Sequence, residues 1–334
     1  MSATSLRSNG KDHSACSGCS LCLLVCPVWR QTRDITMTPH GRSKALQNGV
    51  GVKEFAESID SCTLCMACEP VCPENIALTP MLLEMRRELV ALEPNRLADV
   101  PAMKRAHSAT AESSPTRLLL DSTFTSNVAL LARMRALLGG YNIVALCGDD
   151  GADIALALEC GAEIPAARLA DFLALLRTAR TIIVGDGLLL RQLREWLPNT
   201  RVKSLGEALS TLSIVRNALR KDDLYVIETR AYHSDYERLV KHYSALRYER
   251  GCAFNLDLQR IAIPATVRSL GQRLGKVAID DDAQARWLLQ GRKIARIVVE
   301  NLEEGAALSR VTDVPVVHVA DIAGAEMQHQ NGAA

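Results

Sequence analysis

The sequence has few aromatic residues, no excess of either charge and no long apolar run. Phe, Trp and Tyr make up 4% of the 334 residues, and 39 basic residues against 38 acidic ones give a net charge of +1. No basic stripe is present, so nucleic-acid binding is not predicted. The most apolar stretches, 128–138 and 181–190, contain Arg or Asp and fall well short of the ~20 residues that span a bilayer.

Residues 1–15 are polar and small, so no secretory leader is predicted. Disulfides are rare in reducing compartments. We therefore predict a cytoplasmic protein without disulfides. Attachment to the inner face of a membrane would occur through a partner, since no direct membrane span is predicted.

Cysteine is the abundant feature, and eight of the 11 cysteines fall into two copies of one pattern. The copies are Cys16, Cys19, Cys22 and Cys26 before Pro27, and Cys62, Cys65, Cys68 and Cys72 before Pro73. Each reads Cys-x2-Cys-x2-Cys-x3-Cys-Pro, the run of bacterial two-cluster ferredoxins. Identical spacing in both copies predicts two [4Fe–4S] clusters as cofactors.

The spacing also predicts how the cysteines share the clusters. Three cysteines at i, i+3 and i+6 converge on one cluster, and the fourth of each run ligates the other. The predicted ligands are Cys16, Cys19, Cys22 and Cys72 for cluster I, and Cys62, Cys65, Cys68 and Cys26 for cluster II. Structural zinc, the alternative, usually takes two separated Cys-x2-Cys pairs and leaves the other cysteines of each run without a role.

The remaining pattern predicts an α+β multidomain chain. The expected order is a disordered segment 1–14, a helical two-cluster ferredoxin domain 15–92, a linker 93–116 and two α/β halves, 117–213 and 214–330. Within the ferredoxin domain, a turn is expected at 38–42 and helices at 42–47, 52–59 and 81–92. The halves share an alternation of strands and helices, which predicts an internal duplication with parallel sheets.

The paired runs, with Pro39-His40-Gly41-Arg42 between them, resemble the ferredoxin domain of heterodisulfide-reductase-type (C/B-like) subunits. The iron–sulfur subunits of glycolate, lactate and anaerobic glycerol-3-phosphate dehydrogenases and of succinate dehydrogenase share this domain. In many of these proteins a duplicated α/β region with Cys-Cys-Gly motifs follows. Residues 117–330 resemble a degenerate version, in which Cys147-Gly148 and Gly251-Cys252-Ala253 stand at the Cys-Cys-Gly places. Gly185-Asp186-Gly187 and Glu300-Asn301-Leu302 replace later cysteines.

A cubane cluster needs about four thiolates, and this region holds only Cys147, Cys160 and Cys252. The resemblance therefore implies a non-catalytic electron-transfer subunit of a hetero-oligomeric oxidoreductase, with no catalytic residues of its own. Its expected partners are a flavoprotein (a FAD-linked dehydrogenase or an electron-transfer flavoprotein) and a quinone-linked membrane subunit or other acceptor. The α/β region would serve as a docking platform.

An alternative gives the α/β region its own reaction, as in a heterodisulfide-reductase-like catalytic subunit. Thiol–disulfide chemistry would then occur at Cys147 or Cys252, or a small molecule would bind at the turns 148–151 and 185–187. Single residues allow further hypotheses. The cations Arg30, Arg33, His40 and Arg42 could tune the clusters or meet an acidic partner. His233 is expected at a solvated helix start, with a pocket lining as the alternative.

Overall fold

The computed structural model describes residues 10–98, 100, 114–140, 142–258, 260–276 and 279–323. Most of the predicted disordered segment and of the linker, and the end of the second half, lie outside these residues. Lys11 forms a parallel β-bridge with Ile76, and a 3₁₀ turn follows at His13–Ala15. The ordered chain therefore begins before residue 15.

The cysteine-rich region is mostly helical, as predicted. Its helices are α1 (Leu21–Leu24), α2 (Pro27–Thr32), α3 (Pro39–Gln47), α4 (Ala56–Ser61) and α5 (Leu78–Leu92). Three further 3₁₀ turns are formed by Ile35–Met37, Val52–Phe55 and Pro94–Leu97.

The predicted turn at 38–42 is wrong, because these residues begin α3. The Thr38 hydroxyl accepts a hydrogen bond from the Gly41 N–H at 3.2 Å and caps the helix. Pro39 takes the first helical position, where its missing N–H costs nothing. A Cβ at Gly41 would lie 2.2 Å from the Ile35 carbonyl oxygen, so only glycine fits. The segment resembles a turn in sequence because Pro39 begins a helix and Gly41 allows the backbone of Ile35 to come close.

The first α/β half is a four-stranded parallel sheet with covering helices. Its strands are β1 (Thr116–Leu119), β2 (Val144–Leu146), β3 (Thr181–Val184) and β4 (Arg201–Ser204), in the order β2-β1-β3-β4. Its helices are α6 (Ser122–Thr125), α7 (Val128–Leu137), α8 (Ala152–Cys160), α9 (Ala166–Leu176), α10 (Gly187–Trp196), α11 (Leu205–Ser210) and α12 (Ser213–Ala218).

The second half contains another four-stranded parallel sheet and a small antiparallel hairpin. The sheet has the order β10-β9-β5-β6, from β5 (Asp223–Val226), β6 (Ala253–Phe254), β9 (Arg296–Val299) and β10 (Val316–His318). The hairpin pairs β7 (Leu256–Asp257) with β8 (Ile261–Ala262). The helices are α13 (Thr229–Ser234), α14 (Tyr236–Arg250), α15 (Leu270–Arg273), α16 (Asp281–Leu289) and α17 (Leu302–Ser309).

The two sheets share one topology, in the order second, first, third and fourth strand of each half. This agrees with the predicted duplication. The turns after the third strands, 185–187 and 300–302, occupy equivalent places. Cys147 and Cys252 do not, because Cys147 follows the second strand of its half and Cys252 precedes it. The expectation that Cys147-Gly148 and Gly251-Cys252-Ala253 stand at corresponding places of the two halves is therefore wrong.

The cysteine-rich region packs against both α/β halves. One core cluster joins Leu64 and Leu82 of this region to Leu119 and Leu158 of the first half. A smaller one joins Val25, Cys65 and Ala67 to Ile261 and Ile263 of the second half. Arg30 adds an ion pair with Asp257 at 3.2 Å and stacks over the Trp287 ring. The second cysteine run thus lies between the halves.

Gly161 allows a close approach between α8 and α5, and we expect Gly161→Ala to be unusually destabilising. Its φ is +75°, and a Cβ would lie 2.6 Å from the backbone of Arg86 and Arg87. Gly291 has nearly the same φ, +73°, and nothing within 4 Å of a Cβ. Gly291→Ala should therefore cost about 1 kcal/mol of strain, and Gly161→Ala at least about 2 kcal/mol more, since backbone must move. Chemical denaturation of both variants measures the difference, and equal losses would contradict the close approach.

Candidate metal centre

The eight motif cysteines line two cavities. The first cavity, of about 340 Å³ including space open to solvent, is lined by Cys16, Cys19, Cys22 and Cys72. The second, of about 510 Å³ on the same measure, is lined by Cys26, Cys62, Cys65 and Cys68. In each cavity the fourth cysteine of one run lies with the first three of the other. This grouping is the one that crossed ligation requires, although the ligand assignment itself stays a prediction.

The electrostatics of the thiols follow the same grouping. Burial raises the pKa of Cys22 to about 11, and the charges of Cys16, Cys19 and Cys72 add to the shift. Burial likewise raises the pKa of Cys65 to about 12, with further contributions from Cys26 and Cys62.

Thiolates that share a buried cavity repel one another, so a cationic group is needed to hold them deprotonated. Among the described residues, no three ligand side chains converge closely enough to hold a single metal ion. The thiols instead surround the two cavities. The donor set therefore fits an iron–sulfur cluster, which takes thiolates from several directions.

The two runs share a backbone conformation. The residue before the second cysteine and the residue after it are left-handed in both, with φ of 82° at Gly18 and 64° at Ser20 in the first run. The matching residues of the second run are Leu64, with φ of 54°, and Met66, with φ of 61°. A left-handed non-glycine residue costs about 1–2 kcal/mol. Strain of this kind is typical of functional sites, and here it aims successive cysteines into one cavity.

Backbone N–H groups at two helix starts favour thiolates at the cavities. The His40 N–H, in the first turn of α3, lowers the pKa of Cys22 against the larger effect of burial. The Val28 and Trp29 N–H groups, in the first turn of α2, do the same at Cys26. Hydrogen bonds to cluster sulfurs are a main determinant of reduction potential. The two helices therefore place donors beside two of the predicted ligands.

Of the four cations considered from the sequence, Arg42 lies nearest to the second cavity. Its side chain is buried, lines that cavity and donates to the Ser58 carbonyl at 2.6 Å. His40 lines the first cavity and lies 3.2 Å from the Ser20 hydroxyl. Arg30 is held by Asp257 of the second half, and the Arg33 guanidinium lies 5.8 Å from the Trp29 ring centre.

Arg86 is a site residue that sequence reasoning missed. Its side chain is 1% exposed and donates to the carbonyls of Glu159, Ile59 and Cys62 at 2.6, 3.2 and 2.8 Å. The guanidinium therefore lies beside a predicted ligand of cluster II. Its position in the sequence could have indicated this burial. Arg86 is four residues after Leu82 and three before Leu89, which places it on the apolar face of α5.

His233 is buried rather than solvated, and the expectation of an exposed helix start is wrong. Helix α13 begins earlier, capped by the Glu228 carboxylate. The His233 Nδ1 lies 2.7 Å from the Cys65 carbonyl oxygen, which can only accept, so Nδ1 carries the proton. Burial lowers the pKa of His233 to about 4, which keeps the ring neutral. His233 thus fastens the second half to the second cysteine run.

The other three cysteines are buried thiols. Burial raises the pKa of Cys147, and it raises those of Cys160 and Cys252 to about 11. Cys147 and Cys252 belong to different core clusters. A high pKa and burial both disfavour the thiolate that disulfide exchange needs.

Both cavities are lined by residues of the cysteine-rich region, but their surroundings differ. At the first cavity, Cys19 is exposed. Leu21, Leu24 and Ile35, at neighbouring positions in the chain, are exposed apolar residues. At the second cavity, Cys65 is buried, and the carbonyls of Thr63 and Cys65 are bound by Arg230 and His233 of α13. The first cavity therefore lies nearer the surface, and the second faces the α/β halves.

Comparison with known proteins agrees with this geometry. Residues 12–76 match the family model of the 4Fe-4S dicluster domain. An uncharacterized electron transport protein, YkgF of Escherichia coli (strain K12), is 28% identical over 108 residues, 30% of this chain and 22% of that protein. Lactate utilization protein B of Macrococcus caseolyticus (strain JCSC5402) is 39% identical over 83 residues, 23% of this chain and 17% of that protein. No solved structure matches.

The chain thus spans only about a fifth of the length of these curated relatives. The matched domain and the electron-transport relative support an iron–sulfur electron-transfer role for this chain. No helix formed by the described residues has the length and apolar character that crossing a bilayer requires.

Proposed function

We propose that this chain is the electron-transfer subunit of an oxidoreductase complex of the heterodisulfide-reductase-like type. It relays single electrons through two [4Fe–4S] clusters, from a flavoprotein partner to a quinone-linked or other acceptor. The observation that carries the proposal is the pair of cavities, each lined by four cysteines drawn from both runs. When bound, each cluster accepts and releases one electron, which matches a flavin that gives up two electrons singly.

The eight motif cysteines are divided equally between the two clusters. Cys16, Cys19, Cys22 and Cys72 hold cluster I, and Cys26, Cys62, Cys65 and Cys68 hold cluster II. Cys22 and Cys68 influence each other electrostatically, although they line different cavities. The two sites are therefore close, which suits fast transfer between them.

The surroundings suggest a direction. The first cavity lies near the surface beside exposed Leu21 and Leu24, where a protein partner can approach. At the second cavity, the carbonyls of Thr63 and Cys65 are bound by Arg230 and His233 of the second half. We propose that the flavoprotein docks at cluster I and that cluster II is the inner end of the relay. The α/β region then has a role beyond docking, because it encloses that inner end.

The test uses anaerobically purified protein. We expect about eight irons and about eight sulfides per chain and, after dithionite, an EPR spectrum of two interacting [4Fe–4S]⁺ centres. Photoreduced FMN should then reduce both centres, and menadione should reoxidise them. Electrons should pass from the reduced clusters to menadione in the absence of free flavin. That result would show that the chain itself transfers electrons.

Several results would contradict the proposal. Zinc in place of iron would remove the electron-transfer role. About twelve irons would mean that the α/β region still holds a cluster, against its loss of cysteines. Clusters that FMN hydroquinone cannot reduce, or that menadione cannot oxidise, would indicate a structural or sensing role instead.

A further inference from the structure

A third cavity lies between the two α/β halves and the second cysteine run. It measures about 970 Å³ including space open to solvent. Thr63 and Cys65 form one side. The rest comes from turns at the carboxyl ends of strands in both sheets. Ligands of parallel sheets bind at this edge, so we call it the central cavity.

The central cavity follows the internal duplication. Asp121 and Glu228 come after the first strand of each half, and Asp186 and Asn301 come after the third. Each of these four residues caps the helix that begins there. At the junction of the halves, a Cβ on Gly187 would lie 2.5 Å from the Glu228 carboxylate and 2.2 Å from the Ala231 nitrogen. The two halves therefore meet in backbone contact beside the cavity.

The arginines of the cavity already have carboxylate partners. Arg230 and Arg273 each lie 3.4 Å from Glu159, and Arg230 also donates to the Thr63 carbonyl at 2.9 Å. Arg268 pairs with Glu303 at 3.0 Å. No guanidinium of the lining is thus left over for an anionic ligand.

Three carboxyl groups of the cavity, in contrast to its arginines, lack an oppositely charged partner. Within the described residues, Asp186, Glu228 and Glu304 form no ion pair, and each accepts only backbone N–H groups. Glu304 is 5% exposed; one of its oxygens accepts from the Ala265 N–H at 3.3 Å, and Oε2 has no hydrogen-bond partner in that part of the chain. A buried acceptor without a donor is costly, and a ligand donor would satisfy it.

Burial and mutual repulsion keep these carboxyls poised for a cation. Burial raises the pKa of Glu228 to about 7; the Arg230 charge opposes this shift, and the Asp186 charge adds to it. Burial, with the charges of Glu228 and Glu300, raises the pKa of Glu304 well above its usual range. An entering positive charge would return these groups to the ionised form.

We infer that the central cavity binds a small organic cation that donates hydrogen bonds, such as an amine or an amidine. Its positive group lies among Asp186, Glu228 and Glu304, and its donors satisfy the Glu304 Oε2. Because Cys65 forms part of the wall, the bound molecule lies next to the cluster II site. That last placement rests on the proposed function, whereas the binding itself does not.

The experiment measures amine binding to the anaerobically purified holo-protein. Methylammonium, putrescine and agmatine are titrated by calorimetry at constant ionic strength, beside acetate, phosphate and Mg²⁺.

Three variants test the role of the carboxyl groups. Glu304→Gln keeps an oxygen that accepts from the Ala265 N–H and removes the charge, and it should weaken amine binding at least tenfold. Asp186→Asn keeps a good helix cap and should also weaken it. Glu88→Gln, on the exposed side of α5, makes the same charge change elsewhere and should alter affinity less than twofold.

Proton NMR of the bound amine locates it. Dithionite-reduced protein should broaden the amine resonances more than oxidised protein does, because the reduced cluster is more strongly paramagnetic. Binding without that broadening would uphold the cation site and count against the assignment of cluster II. Three results would overturn the inference: no amine binding in the millimolar range, binding of only the anions or Mg²⁺, or equal amine affinity in wild type, Glu304→Gln and Asp186→Asn.

Discussion

Cys26→Ser is expected to destroy cluster II and to spare cluster I, although Cys26 belongs to the first cysteine run. Its thiol lines the second cavity together with Cys62, Cys65 and Cys68. Iron should fall from about eight toward about four per chain, and the EPR of the reduced protein should lose the interaction between centres. Cys72→Ser should give the mirror result at cluster I, and Cys252→Ala should retain all the iron.

Double variants decide between crossed and uncrossed ligation. If ligation is crossed, Cys26→Ser with Cys65→Ser damages one cluster twice and leaves about four irons. Cys26→Ser with Cys19→Ser damages both clusters and leaves almost none. The opposite pattern, with most iron lost in the Cys26/Cys65 pair, would show that each run holds its own cluster.

Arg86→Met should have the second-largest effect, because it removes a buried cation and leaves three carbonyls without their donor. We expect a loss of about 3–5 kcal/mol in the free energy of unfolding. The reduction potential of cluster II should fall, since a positive charge beside Cys62 favours the more negative, reduced cluster. Chemical denaturation and an EPR-monitored redox titration measure the two effects.

The neighbouring arginine supplies a control. Arg87 pairs with Glu84 on the surface of α5, and Arg87→Met should change stability by less than about 1 kcal/mol. Arg86→Lys keeps the charge and loses the planar set of donors. Compared with Arg86→Met, Arg86→Lys should recover more of the reduction potential of cluster II than of the free energy of unfolding. If Arg86→Met shifts stability but leaves the potential of cluster II unchanged, Arg86 has only a structural role.

The sequence predicted the parts of this molecule that repeat at fixed spacing. The cysteine runs predicted two clusters, and their cysteines line two cavities in the grouping that crossed ligation requires. The alternation of strands and helices predicted the two parallel sheets. Features formed by tertiary contact were missed. Arg86 and His233 act on carbonyls distant in sequence, and neither carries a local signal for that role. The start of α3 was missed because Pro39 and Gly41 are typical of turns, and the collision that requires glycine is with Ile35.

The excess of carboxyl groups in the central cavity also could not be predicted from the sequence, because it depends on tertiary contacts. Its lining comes from both halves, and the ion pairs that use up its arginines join residues far apart in the chain, such as Glu159 and Arg273. Single turns such as 185–187 suggested a small-molecule site, but no turn by itself indicated the charge left over for a ligand. That surplus appears only when the two halves are brought together.

Helix α13 makes the cluster site and the central cavity mechanically dependent on each other. Its cap, Glu228, lines the cavity, while Arg230 and His233 hold the carbonyls of Thr63 and Cys65. A displacement of this six-residue helix would therefore reach both places at once. If a cavity ligand changes the reduction potential of the proposed cluster II, linkage requires that reduction of the cluster change the ligand's binding free energy to the same extent. The short helix would therefore transmit the occupancy of the central cavity to the inner end of the proposed relay.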